Sequence, residues 1–285
     1  MPKILVIGAT GNTGSILVPS LIKAGQEVRA FVRNEKKAQP LKDAGAEIYI
    51  GDLDKSATVD GALHGIEKVY LCTWNGSTAS AQGKNVIEAI QRVGTNPYVV
   101  RHSAFGSKGS RIIQQTNEVD DALKESGLSW SIIKPTFFMQ NLMMAVQTIK
   151  SEGNIYWDWS NGKVGMIDVR DVASSALGAL IGNAEKEKEY VLTGPQAISM
   201  HDVADSFTRI LGKKINYIAV PHEASKETMM RIGFPEFIVD GYIELNVGFA
   251  QNVANMATDN VKVLSGNAPR SINNFISDFK NIFSA

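Results

Sequence analysis

The chain contains little cysteine and no excess of charge of either sign. Cys72 is the single cysteine in 285 residues, so no disulfide can form within the chain. Lysine plus arginine and aspartate plus glutamate number 29 each, so the protein lacks the overall positive field that attracts nucleic acids and anionic membranes. We therefore expect no nucleic-acid partner and no membrane partner. Cys72 lies in an apolar segment, where a small buried side chain is expected.

Long apolar runs and metal-binding clusters are also missing. No apolar run approaches the roughly twenty residues that a membrane-spanning helix needs, and the first predicted strand follows Met1 without room for a signal sequence. The sequence thus predicts a cytoplasmic protein. No metal site is expected, because the histidines lack metal-ligand spacing; they are His64, His102, His201 and His222.

The sequence lacks a tyrosine followed by a lysine four residues later. In ordinary short-chain dehydrogenases the lysine of such a pair lowers the pKa of the phenol for proton transfer. None of the seven tyrosines has this partner, and the helical segment 111–121, where the pair is expected, contains neither residue. Alcohol oxidation and sugar epimerisation by this route are not expected. The catalytic residue stays unassigned, and His102 is either a structural histidine or a proton donor.

An apolar run near the start of the chain stops at three glycines spaced three apart. Residues 4–7 read Ile-Leu-Val-Ile, as in a parallel strand buried on both faces, and Gly8, Gly11 and Gly14 follow. These glycines allow a sharp turn, the close approach of a pyrophosphate, and close packing of the next helix. With a second strand predicted at 26–32, the pattern indicates a βαβ unit that binds a dinucleotide. A tight turn without a ligand is the alternative.

The same alternation of strands and helices continues for about 150 residues. Further strands are predicted at 47–50, 68–73, 98–103 and 129–135, and glycines follow the helices between them. This pattern predicts an α/β protein of the Rossmann class, with a doubly wound parallel sheet that binds ligands at the C-terminal ends of its strands.

The regular alternation breaks down after residue 150. The sequence predicts a helix at 171–181, a strand at 190–193, a helix from Ser199 to Leu211, a strand at 215–220 and a final amphipathic helix at 272–279. We expect a nucleotide-binding domain at 1–150 and a smaller α+β substrate lobe at 151–285, with part of 163–182 packing back on the sheet. The apolar segment 229–234 is either a lid over the substrate or a surface for a partner.

The second strand ends in a basic residue, where NAD-binding proteins carry an acid. Arg33, followed by Lys36 and Lys37, can face a 2′-phosphate, which favours NADPH over NADH. A solvated basic helix start is the alternative. At the end of the third strand Asp52 can contact an adenine while Leu53 packs on its ring, or Asp52 can cap the following turn.

Aromatic residues are concentrated after the sixth strand. Phe137 and Phe138 follow Pro135, where they form either part of the core or an apolar wall beside a nicotinamide. Trp157 and Trp159 are expected to extend such a wall around an aromatic substrate. Phe105 is expected to belong to the same wall.

Several motifs in order resemble the NmrA-like family of atypical short-chain dehydrogenases. They are the glycine turn at 8–14, Phe-Val-Arg-Asn at 31–34, Gly-Asp-Leu at 51–53, the segment 134–141 and the segment 167–173. The resemblance implies coenzyme contacts by Gly8, Thr10, Gly11, Asn12, Thr13, Arg33, Asp52, Leu53, Thr73, Trp74, Ser103, Pro135, Phe137 and Phe138. Position in the predicted fold adds Lys37 as a coenzyme contact, and Phe105, Phe138 and Trp157 as substrate contacts.

The resemblance also implies an activity. The family includes NADPH-dependent reductases of quinones, triphenylmethane dyes and azo dyes, together with regulators that sense NADP(H) without turnover. The sequence therefore predicts an NADPH-dependent oxidoreductase that acts on a planar aromatic molecule, with a non-catalytic NADP(H) sensor as the alternative. Some relatives carry a histidine or lysine in the helix after the fifth strand, where this chain has Gln115, Thr116 and Asn117. Water is then the expected proton source. Self-association and a protein partner both stay open.

Overall fold

The computed structural model describes residues 3–73, 76–182 and 184–284. Its strands are β1 Lys3–Ile7, β2 Glu27–Val32, β3 Glu47–Ile50, β4 Lys68–Leu71, β5 Tyr98–His102, β6 Trp130–Pro135, β7 Asn154–Trp157, β8 Lys163–Val164, β9 Lys188–Leu192, β10 Ile198–Ser199 and β11 Asn216–Ala219. Seven of them form one parallel sheet, in the order β3-β2-β1-β4-β5-β6-β9. The order reverses between β1 and β4, where doubly wound sheets bind their ligands.

Helices cover this sheet and build the rest of the described chain. They are α1 Gly14–Lys23, α2 Gln39–Asp43, α3 Ala57–Asp60, α4 Ala79–Val93, α5 Arg111–Glu125, α6 Val146–Glu152, α7 Val169–Ile181, α8 Met200–Leu211, α9 His222–Arg231, α10 Glu236–Ala250, α11 Asn260–Ser265, α12 Ile272–Asp278 and α13 Lys280–Ser284. Short 3-10 helices lie at Glu35–Ala38, Gly61–Leu63 and Met139–Ala145. No helix in these described ranges is long and apolar enough to cross a lipid bilayer.

The apolar run of β1 is buried because both faces of the sheet are covered. Ile4 and Val6 belong to a core on one face, with α1, α7 and α11. Leu5 and Ile7 belong to a core on the other face, with α3, α4 and α5. A strand in this position needs apolar residues at successive positions. The predicted Rossmann fold is therefore confirmed.

A smaller α+β region follows the sixth strand. β7 and β11 form a parallel pair, and β8 and β10 form an antiparallel pair. A third core fills this region, with Phe207, Phe275 and Phe283 among its buried residues. Helix α8 begins with a capping box between Ser199 and Asp202, as its sequence predicts.

The chain returns to the main sheet after residue 150. The strand predicted at 190–193 is β9, and it pairs with β6 in the main sheet instead of joining the smaller region. Helix α7 packs on the same face as α1, and it begins at Val169, earlier than the predicted Asp171, because the Asp168 side chain accepts a hydrogen bond from the Arg170 amide. The division into domains at residue 150 stays a prediction.

Candidate functional site

A cavity of about 480 Å³ opens at the C-terminal ends of the central strands. It brings together most of the residues that the sequence predicts as coenzyme or substrate contacts. These are Gly8, Thr10, Gly11, Asn12, Thr13, Arg33, Leu53, Thr73, Ser103, Phe105, Pro135, Phe137 and Phe138. The volume lies within the range of small-molecule sites.

Four of the predicted contacts are not placed in this cavity. Trp74 lies outside the described residues. Lys37 is exposed on the 3-10 helix after β2 and does not line the cavity. Asp52 does not line it either, and its Oδ1 accepts a hydrogen bond from the Asp54 amide at 3.1 Å, the capping alternative. Trp157 does not line the cavity, and its buried ring packs edge-on against Phe137 in the third core.

The glycine turn presents backbone amides to the cavity. Gly8 has a φ of +79°, and the Gly11 amide donates to the Gly8 carbonyl at 3.0 Å. A Cβ on Gly14 would lie 2.2 Å from the same carbonyl oxygen, so only glycine lets α1 start this close to β1. The amides of Asn12, Thr13 and Gly14 have no hydrogen-bond acceptor within the described ranges. Such a helix start is suited to an anion.

Arg33 provides a positive charge at the glycine-turn end of the cavity. It is exposed, it lines the cavity, and it forms neither a hydrogen bond nor an ion pair with any described residue. By contrast, Arg29, within the strand that precedes Arg33, binds Glu47 at 2.9 Å. An uncompensated guanidinium near a glycine turn can bind a phosphate through two parallel hydrogen bonds. The unpaired amides, the absent Cβ at Gly11 and the free Arg33 therefore fit a phosphorylated dinucleotide.

A buried charge network supports Ser103 at the end of β5. The Ser103 hydroxyl donates to Asp120 Oδ2 at 2.7 Å. Asp120 on α5 also lies 3.2 Å from Lys134 Nζ and 3.4 Å from Arg101 Nε, and its side chain is only 1% exposed. Lys134 is therefore engaged by Asp120, and it does not line the cavity. Sequence reasoning missed Arg101 and Asp120, although a charge inside an apolar strand is a usable signal of such a network.

His102 is held against Tyr70 of the neighbouring strand. Its Nδ1 lies 2.5 Å from the Tyr70 hydroxyl oxygen. Burial, reinforced by Arg101, lowers the pKa of His102 to about 3, so the imidazole is neutral at physiological pH. Burial also raises the pKa of Tyr70 well above its usual range, which keeps the phenol protonated. The geometry indicates a structural histidine at the cavity floor.

Helix α10 closes the other end of the cavity with apolar side chains. Tyr242, Leu245 and Phe249 share one face of this helix and meet Ile112 and Ile113 of α5 across the cavity. Sequence reasoning missed these residues, although their spacing of three and four is a helical signal. The segment 229–234 does not line the cavity. Its side chains at Met230, Ile232 and Phe234 are exposed, and the partner surface stays a prediction.

Comparisons with known proteins agree with this architecture. The sequence profile of the NmrA-like family matches residues 2–268. An NAD(P)H azoreductase from Xenophilus azovorans is 32% identical over 274 residues, which cover 95% of this chain and 96% of that protein.

Two solved structures share the fold of this chain. An NADPH-dependent quinone oxidoreductase from Escherichia coli, in complex with NADPH, has a TM-score of 0.89 at 22% identity and covers 98% of this chain and 100% of its own. A triphenylmethane reductase from Citrobacter sp., in complex with NADP(H), has a TM-score of 0.85 at 20% identity and covers 96% of this chain and 99% of its own.

Proposed function

The chain belongs to the NmrA-like family, and from that premise we propose that it is an NADPH-dependent reductase of planar conjugated acceptors such as quinones and azo compounds. The observation that carries the proposal is the division of one cavity into two ends of opposite chemistry. Unpaired amides and Arg33 lie at one end, and an apolar wall lies at the other.

The polar end would hold the coenzyme. Its phosphates are assigned to the amides of Asn12, Thr13 and Gly14, and its 2′-phosphate to Arg33. Leu53, Thr73 and Ser103 also line the cavity, and we assign them as further contacts of the coenzyme. When bound, NADPH supplies a hydride to the acceptor. The protein's part is to hold both molecules in register and to exclude water.

The apolar end would hold the acceptor. Phe105, Phe137 and Phe138 line the cavity together with the α10 side chains Leu245 and Phe249. Flat aromatic and aliphatic walls bury planar rings well, and they select poorly among them. The azoreductase relative and the quinone oxidoreductase and triphenylmethane reductase structures are consistent with this class of acceptor.

Steady-state oxidation of NADPH with a panel of quinones and azo dyes tests the proposal. We expect turnover with several acceptors, and a preference for NADPH over NADH in kcat/KM. The alternative function, a non-catalytic sensor, predicts that the protein binds NADPH in calorimetry and reduces none of the panel. Failure to bind either coenzyme would refute both functions.

A further inference from the structure

We propose that Tyr242 donates the proton that completes reduction of the acceptor, an assignment that rests on the proposed reductase function. Tyr242 lies on α10 beside Leu245 and Phe249, at the apolar end of the cavity. Its hydroxyl forms no hydrogen bond with any described residue, and its pKa is raised by burial alone. Because this hydroxyl belongs to a half-buried side chain of the cavity wall and has no partner among the described residues, it is available to donate to a bound acceptor.

The turn of α10 that carries Tyr242 is firmly positioned on α5. The Ser110 hydroxyl donates to the Gly241 carbonyl at 3.0 Å. Arg111 binds Asp240 at 2.8 Å and Glu244 at 2.7 Å, one on each side of Tyr242 in the sequence. A Cβ on Gly241 would lie 2.6 Å from Ile112 Cγ1, so the glycine permits this close approach. A donor held by such contacts needs little reorganisation during the reaction.

Apart from Thr73, which is assigned to the coenzyme, the other hydroxyl and thiol hydrogens of the cavity wall beyond the glycine turn are directed at protein acceptors. Four side chains of the cavity wall are engaged in this way: Ser103 with Asp120, Thr116 with the Ile113 carbonyl, Thr136 with the Gly165 carbonyl, and Cys72 with the Thr73 carbonyl. None of these hydrogens is free for an acceptor molecule without breaking an existing contact.

The remaining nitrogen donors are poor acids. His102 is neutral, so losing its remaining ring proton would leave an imidazolate. Arg101 is held in its ion pair with Asp120, and the Asn141 carboxamide is not an acid at any physiological pH. The phenol is the group whose ordinary pKa, about 10, comes closest to that of a reduced quinone or hydrazo anion. Burial keeps Tyr242 protonated until such an anion forms.

The step balances with water as the final proton source. The acceptor gains a hydride, and with it two electrons, which leaves negative charge on a conjugated oxygen or nitrogen. The O–H bond of Tyr242 breaks as its proton forms a new O–H or N–H bond on that atom. The resulting phenolate then takes a proton from water, which can reach Tyr242 because this side chain is only half-buried.

The substitution Tyr242→Phe tests the assignment, with Tyr156→Phe as the matched control. Tyr156 is 39% exposed and binds Glu152 outside the cavity. We expect Tyr242→Phe to lower kcat about 100-fold with an unchanged KM for NADPH, and Tyr156→Phe to have no effect. In calorimetry on the complex with NADP⁺, the affinity for 1,4-naphthoquinone should fall about fivefold in Tyr242→Phe, while that for 2-methylnaphthalene, which has no acceptor atom, should stay constant.

Two results would overturn the assignment. One is a Tyr242→Phe protein with wild-type kcat and wild-type naphthoquinone affinity. The other is a proportional loss of affinity for both ligands, which would make Tyr242 a packing residue. If the wild-type protein reduces no acceptor, the proposed function fails, and the assignment of Tyr242 as acid fails with it, even where the calorimetric difference still identifies a ligand-binding hydroxyl.

Discussion

Arg111 at the start of α5 and Glu244 on α10 form a two-pronged ion pair, with Nη2 2.7 Å and Nε 3.0 Å from Oε1. The two residues are 133 positions apart in the sequence. The carboxylate of Asp240, one helical turn before Glu244, accepts a hydrogen bond from Nη1 of the same guanidinium at 2.8 Å. These contacts fix the apolar wall that α10 contributes to the cavity onto α5, a helix that packs on the main sheet.

Removing the charge of Glu244 should loosen this wall. We expect Glu244→Gln to raise KM for the acceptor about threefold and to leave KM for NADPH unchanged, because partly exposed ion pairs contribute only about 1 kcal/mol. Steady-state kinetics with each substrate varied in turn measures both constants. The control is Glu227→Gln on the exposed face of α9. An equal rise in both KM values would contradict a role confined to the acceptor end.

Arg33 should set the preference for the phosphorylated coenzyme. We expect Arg33→Gln to weaken NADPH binding about tenfold or more and to leave NADH binding nearly unchanged, since a hydrogen-bonded charge contributes about 1.5–3 kcal/mol. Lys37→Gln is the matched control, because Lys37 is a nearby exposed cation that does not line the cavity. Titration calorimetry gives the four affinities. Equal losses for NADPH and NADH would refute the contact of Arg33 with the 2′-phosphate.

Gly14 should be intolerant of a methyl group. A Cβ there would lie 2.2 Å from the Gly8 carbonyl oxygen, so Gly14→Ala must push α1 away from β1. We expect the free energy of unfolding to fall by about 1–3 kcal/mol, with weaker NADPH binding. Gly109→Ala serves as control, since its Cβ would meet only Ser107 Oγ at 3.6 Å. Urea denaturation of both variants measures the two free energies of unfolding. Similar midpoints for Gly14→Ala and Gly109→Ala would contradict the predicted steric clash.

Asp168 should stabilise the fold in a pH-dependent way. Burial opposes its ionisation, but hydrogen bonds from Arg170 and Gln140 outweigh burial and lower the pKa below its ordinary value of 3.8. A lowered pKa in the folded state stabilises the protein above the unfolded pKa, and this contribution is lost as the pH falls through the folded value.

The substitution Asp168→Asn measures that contribution. We expect it to lower the free energy of unfolding by about 1–3 kcal/mol at pH 7, with the difference from wild type shrinking below about pH 4. The exposed Asp121→Asn is the control. Denaturation curves across this pH range give the comparison, and a difference that stays constant down to pH 2 would exclude the ionised carboxylate as its source.

Local sequence signals predicted the elements that depend on neighbouring residues. The strand at Ile4, the turn at Gly8 and the capping box at Ser199 each follow from a few adjacent side chains, and the structure has all three. The glycine turn and Arg33 could be placed at one cavity for the same reason. Parallel strands end at a common edge, so the residues that follow them converge.

Contacts between distant segments could not be predicted in this way. β9 carries an apolar pattern that suits either the main sheet or a separate lobe, and pairing with β6 decides between them. Trp157 suits a pocket wall or a core equally well, and packing against Phe137 places it in the core. Tyr242 belongs to a helix far along the chain, and contacts of that helix with Ser110, Arg111 and Ile112 bring it to the cavity.

The sequence by itself determined the glycine turn and the cation of the proposed coenzyme end, because an apolar strand, three glycines and a basic residue lie within 33 consecutive positions. Tertiary structure decided which further side chains join Phe105, Phe137 and Phe138 at the proposed acceptor end. The walls of that end come from β5, β6, α5 and α10, whose side chains converge through long-range ion pairs and buried contacts that no local pattern specifies.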